Sequence, residues 1–85
     1  MTKVNGKTRK ATYQMLDYLN ECNSDILTSL LRNGWICKGT LESCLHYNYI
    51  DVDAFILLKK NIYLVNRCFK EWLDNNGYKV SPLPF

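Results

Sequence analysis

Eighty-five residues at 47% hydrophobic composition suffice for one core without compulsory metal or disulfide staples and leave no room for a second independent domain. The longest unbroken apolar run, residues 54–58, is far below the roughly 20 apolar residues that cross a bilayer, so no membrane-spanning helix is expected. The formal charge of +3 is uneven: residues 1–10 hold four bases and no acid, and the remainder has seven bases against eight acids, which makes a basic arm on a nearly neutral body.

In chain order, residues 1–9 are polar, contain Gly6 and show no periodicity, and are expected to be a flexible, disordered basic arm. Lys3, Lys7, Arg9 and Lys10 imitate the start of a signal peptide. Gln14, Asp17 and Asn20 then occupy the stretch an apolar segment would need, so no export signal is read and a cytoplasmic location is expected. The folded domain is expected over residues 10–77. Ala11, Met15, Leu16, Leu19 and Cys22 recur at helical spacing and predict a first amphipathic helix with Tyr13 on its outer side. Asn23 or Ser24 is a suitable cap for a second helix, in which Ile26, Leu27, Leu30 and Leu31 form one stripe and Gly34 is the left-handed terminator. Trp35 falls where such an ending places an apolar contact back to Leu30.

Residues 36–38 read as a short extended piece. Thr40 then caps a third helix from Leu41 to about Tyr47, with Leu41, Cys44 and Leu45 inward. After a turn at residues 48–51, Asp51 or Asp53 caps a long final helix that Gly77 stops near Asn76, roughly 35 Å at about 1.5 Å per residue. Residues 78–85, with Pro82 and Pro84, are expected to form an extended tail. The fold class is therefore all-α: a small four-helix domain with a long C-terminal helix.

The final helix is the most informative. Phe55, Leu58, Ile62, Val65, Phe69 and Trp72 alternate by three and four, the spacing of a helix packed lengthwise on another, and the favoured reading is a seam within the chain rather than an intermolecular coiled coil. Ile56, Leu57, Tyr63 and Leu64 lie off that seam. The other helices, a second copy of the chain or a different protein must cover them.

Chemistry has little to stand on. His46 is the single histidine, and Cys44, two residues away on a helix, points to another side, so the pair is no catalytic dyad and a surface histidine is expected. Cys22, Cys37, Cys44 and Cys68 lack the close pairing of zinc sites and are read as free, small, buried side chains; no metal and no cofactor are expected. The phosphate-loop, dinucleotide, serine-hydrolase and metalloprotease motifs are missing, so no catalytic residue is named. Asparagine occurs nine times and alanine twice, the usage that AT-rich coding produces, which points to a phage, mobile element or low-GC bacterium.

From residue 26 to 66 the order helix, extended piece, helix, turn and longer helix resembles a winged-helix or trihelical, helix-turn-helix-like DNA-binding core. That resemblance implies a reader helix starting at Asp51, yet Asp51, Val52, Asp53, Ala54, Phe55, Ile56 and Leu57 are acidic and then apolar where such a helix offers polar and basic groups. The stretch from Cys44 to Tyr49 also lacks the usual glycine of the turn. DNA contact would then fall to Lys3, Lys7, Arg9, Lys10 and a stacking Tyr13, with Lys59, Lys60 and Arg67 adding backbone contacts.

The favoured expectation is a small non-enzymatic regulatory or inhibitory protein that binds a protein partner, with homodimerisation open. Its contact residues are expected to be Ile56, Leu57, Tyr63, Leu64, Tyr47 and Tyr49, apolar and aromatic types that anchor interfaces. The alternative is a DNA-binding regulator that uses the basic arm.

Overall fold

The computed structural model describes residues 6–22 and 24–78. They form five helices and no strand: α1 (Gly6–Cys22), α2 (Ser24–Asn33), α3 (Lys38–His46), α4 (Val52–Lys60) and α5 (Ile62–Asn75). The all-α expectation holds, with one helix more than the four read from the sequence.

The extra element arises because the long final helix is broken at Asn61, whose φ of −116° and ψ of 31° leave the helical range. The Asn61 side-chain amide donates to the Leu57 carbonyl at 2.8 Å and shares it with the Asn61 backbone N–H at 3.2 Å, the side-chain-to-backbone bonding typical of asparagine in and near helices. The three-and-four seam continues across the break nonetheless. Leu58, Val65, Phe69 and Trp72 are buried, and Phe55 and Ile62 pack against the same core, so the seam is satisfied within the chain.

A second difference lies at the start. The helix begins at Gly6 and not near residue 10, so Lys7, Thr8 and Arg9 are helical and not part of a free arm. Thr8 and Thr12 are fully buried and continue the Met15, Leu16 and Leu19 stripe one turn further back, the Thr12 hydroxyl donating to the Thr8 carbonyl at 2.6 Å. Arg9 pairs with Glu71 of α5 at 2.6 Å. Lys3 lies outside the described residues.

α1 is the central element. It packs most extensively on α5, with α2 and α4 also against it, while α3 packs on α4. Trp72 is buried in the α1–α5 seam and its indole N–H donates to the Asp17 carboxylate at 2.9 Å. Behind the seam, the buried Asn66 amide accepts from the Ile36 N–H and donates to the Ile36 carbonyl at 2.9 Å, clamping the α2–α3 connection onto α5. Both polar groups of that buried backbone are thereby satisfied, as burial requires.

The helix ends follow local chemistry. Gly34, at φ 75°, closes α2 with its N–H on the Leu30 carbonyl at 2.8 Å. Gly77, at φ 77°, closes α5, where the Tyr78 N–H reaches the Leu73 carbonyl and the Gly77 N–H that of Asp74, the paired bonds of a Schellman ending. Asn48, at φ 62°, does the same for α3 without a glycine. Asp51 caps α4 by accepting from the Ala54 N–H at 2.7 Å. α3, however, starts at Lys38 with Cys37 as its cap residue, three positions before the expected Thr40, which instead lies in the first turn with its hydroxyl 3.3 Å from Cys37 Sγ. Tyr78, read as the first residue of a tail, stacks on Trp72 with ring centroids 5.7 Å apart and donates to Asn20. Residues 79–85 lie outside the described residues, as does the cap position at Asn23.

Candidate partner-binding surface

Six of the nine residues of α4 are apolar, yet only Leu58 is buried. α4 stands between two grooves and contributes a wall to each. Ile56, 54% exposed, and Leu57, half-buried, face the groove toward α1, about 530 Å³, together with Lys7, Lys10 and Lys60. Asp53 is the one acidic residue on that wall. On the other side, Lys59 of α4 and Tyr63 of α5, the latter 60% exposed, border a groove of about 360 Å³ against Trp35, Lys38 and Leu41. Leu64 is half-buried and borders neither groove. Three of the four off-seam residues therefore divide between two surfaces, Ile56 and Leu57 on one side and Tyr63 on the other, with Leu64 on neither.

Tyr47 and Tyr49 sit elsewhere, on the α3–α4 connection. Tyr47 is 57% exposed and Tyr49 half-buried, with ring centroids 6.1 Å apart. Tyr18 of α1 lies 5.0 Å from Tyr49, and His46 meets Tyr47 edge-on at 5.0 Å. This forms a run of aromatic rings across the surface. Tyr18 was missed by sequence reasoning; its position on the outer side of α1, opposite the Leu16 and Leu19 stripe, was the available signal.

The basic residues assigned to nucleic acid also part company. Lys7 and Lys10 line the α1–α4 groove, where Lys60 joins them. Arg9 turns to α5, with its guanidinium 5.2 Å from the Tyr13 ring centroid and bonded to Glu71. Tyr13 is not on the outer side of α1. It packs against the core with its hydroxyl enclosed, and burial, aided by the Glu71 carboxylate, pushes the phenol up to about 12. A ring held this way is not presented for stacking on a base.

The four cysteines are free. Cys44 is fully buried and burial pushes its thiol up to about 11; Cys68 is raised for the same reason, and Cys22 is exposed. Cys37 differs: the hydrogen bond with Thr40, together with N–H groups of the α3 first turn, lowers its thiol below the ordinary value. His46 is exposed and meets Tyr47, not Cys44. Among the described residues no three His, Cys, Asp or Glu side chains come together as a metal site would need, and no helix is long and apolar enough to cross a membrane. No protein-family model matches the chain, and neither a curated protein nor a solved structure matches it.

Proposed function

We propose that this chain is a small, non-enzymatic regulatory or inhibitory protein of the cytoplasm that docks a protein partner through the surfaces flanking α4. The observation that carries the reading is the mismatch between composition and burial in α4: six apolar residues of nine, one of them buried. The core closes through α1, α5 and the Asn66 clamp without Ile56 or Tyr63. Apolar groups left in water next to basic rims suit a surface that another protein completes.

The test uses the intact chain as bait in an extract of the cells that make it, beside Ile56→Glu and Tyr63→Ala. A partner retained by the parent and lost by these variants, with their thermal melts unchanged, is the expected result. Variants that unfold, or that keep the partner, would remove the argument from α4.

A second reading, a DNA-associated regulator, is favoured by one observation: Lys7, Lys10 and Lys60 line the same groove. It predicts duplex-DNA binding that collapses as salt rises. A titration at low and moderate salt separates the two readings. Affinity that is weak in both buffers goes against general DNA binding.

A further inference from the structure

We infer that the groove between α3 and α5 takes the apolar stripe of an acidic amphipathic helix belonging to a partner protein. This rests on the partner-docking reading above and specifies its chemistry. The groove, about 360 Å³, is floored by Ile36, Leu41 and Ile62 and walled by Trp35 and Tyr63, room for a few bulky apolar side chains. Lys38 and Lys59 border it, and no acidic residue lines it. Lys59 is steadied over the Phe55 ring, 5.7 Å from its centroid. An apolar trough bordered by two ammonium groups is complementary to carboxylates flanking an apolar stripe.

The backbone decides that the occupant is a helix and not a strand. An extended peptide gains affinity by adding to free main-chain N–H and C=O groups. At the centre of this groove those groups are engaged: the Ile36 N–H and carbonyl both belong to Asn66, and the Cys37 carbonyl accepts from the Thr40 and Leu41 N–H groups, which leaves no run of adjacent free groups there for a strand to pair with. A segment that binds here must bring a backbone already satisfied internally and engage through side chains alone, the helix-in-groove mode. Nucleic acid would use the lysines but leave the apolar floor without a purpose.

The test uses two short synthetic amphipathic helices with the same leucine stripe, one with glutamate at the remaining positions and the other with lysine. The intact chain should bind the acidic peptide about tenfold more tightly than its basic twin, since two exposed pairs are at stake. Bound peptide should also protect Cys37, which borders the same groove, from iodoacetamide. Lys38→Glu/Lys59→Glu should reverse the preference, and Lys38→Ala/Lys59→Ala should abolish it wherever the reversed chain melts early.

No binding of the acidic peptide, equal affinity for both peptides, or binding that leaves Cys37 reactive would overturn the inference. So would concentration-dependent self-association lost on the same charge reversal, which would give the groove to a second copy. A partner from the extract that survives the charge reversal but is lost on Ile56→Glu overturns the groove assignment and leaves the docking function standing. Partner binding indifferent to both sets of changes overturns the docking function as well.

Discussion

α4 and α5 follow one another in the chain with a single residue between them, yet they meet the rest of the molecule differently. α5 buries six of its fourteen residues, including Phe69 and Trp72, along the length of α1; α4 buries Leu58 alone. α4 is nevertheless the richer of the two in apolar residues. Burial here follows from which neighbour runs alongside: α5 packs on α1 in the most extensive helix pair of the described residues and on Ile36 through Asn66, whereas the sides of α4 open into grooves. Buried side chains are therefore concentrated in α5, and α4 keeps apolar surface exposed at Val52 and Ile56.

The sharpest way to break this comparison is Phe69→Ala. Phe69 is fully buried, and losing an aromatic ring from such a site costs about 3–5 kcal/mol, enough to unfold a domain of this size or lower its melting temperature severely. A small shift in a urea melt would show that α5 is not the mainstay. Asn66→Ala comes next: it strips the Ile36 N–H and carbonyl of their partners, at about 1–3 kcal/mol for each buried group left unpaired. Its melt should fall clearly, and the α2–α3 connection should lose amide-exchange protection.

Alkaline titration probes burial on α1 and α3. The folded chain keeps protons on Cys44, raised by burial to about 11, and on Tyr13, raised by burial and then Glu71 to about 12, that the unfolded chain releases nearer 9 and 10. Their contribution is fully present below about pH 9 and is lost as pH climbs through the folded values. Denaturant midpoints should decline over that window, and Cys44→Ala should lessen the earlier part of the decline, to which Cys68, also raised by burial, contributes as well. Cys37, whose thiol is lowered by Thr40, works in the opposite sense and adds stability as pH approaches its ordinary value of 9. A smaller gain is expected from Asn48→Gly. Asn48 holds φ 62°, which glycine adopts without the side-chain penalty, so the melting midpoint should rise by about 0.5 kcal/mol equivalent. The smallest change in stability, under about 0.5 kcal/mol, is expected from Ile56→Ala and Tyr63→Ala, since both side chains already lie more than half in water.

How much of this was legible in advance depended on the range of the interaction. Endings that one residue dictates were readable: Gly34 and Gly77 in left-handed turns and Asp51 as a cap. The seam from Phe55 to Trp72 was readable because its period is regular. The break at Asn61 was not, since no proline or glycine marks it and the seam runs on across it; the Asn61 amide bonds the Leu57 carbonyl there, yet Asn66 makes the same bond to Ile62 inside an unbroken α5. The first turn of α1 was missed because Thr8 and Thr12 bury their methyl groups at helical spacing but count as polar. Asn66 gave no warning either, because its partner, Ile36, is thirty residues distant in sequence. The off-seam residues were read as one face with its cover left open; Ile56 and Tyr63 are exposed on two separate surfaces, and Leu57 and Leu64 are half-buried.

The most direct measurement is a paired one on Ile56→Glu/Tyr63→Ala: a urea melt of the purified double variant beside partner capture with the same protein. A midpoint close to that of the parent chain together with loss of the partner is the expected result. A midpoint as low as that of Phe69→Ala, or a partner still held, would contradict it.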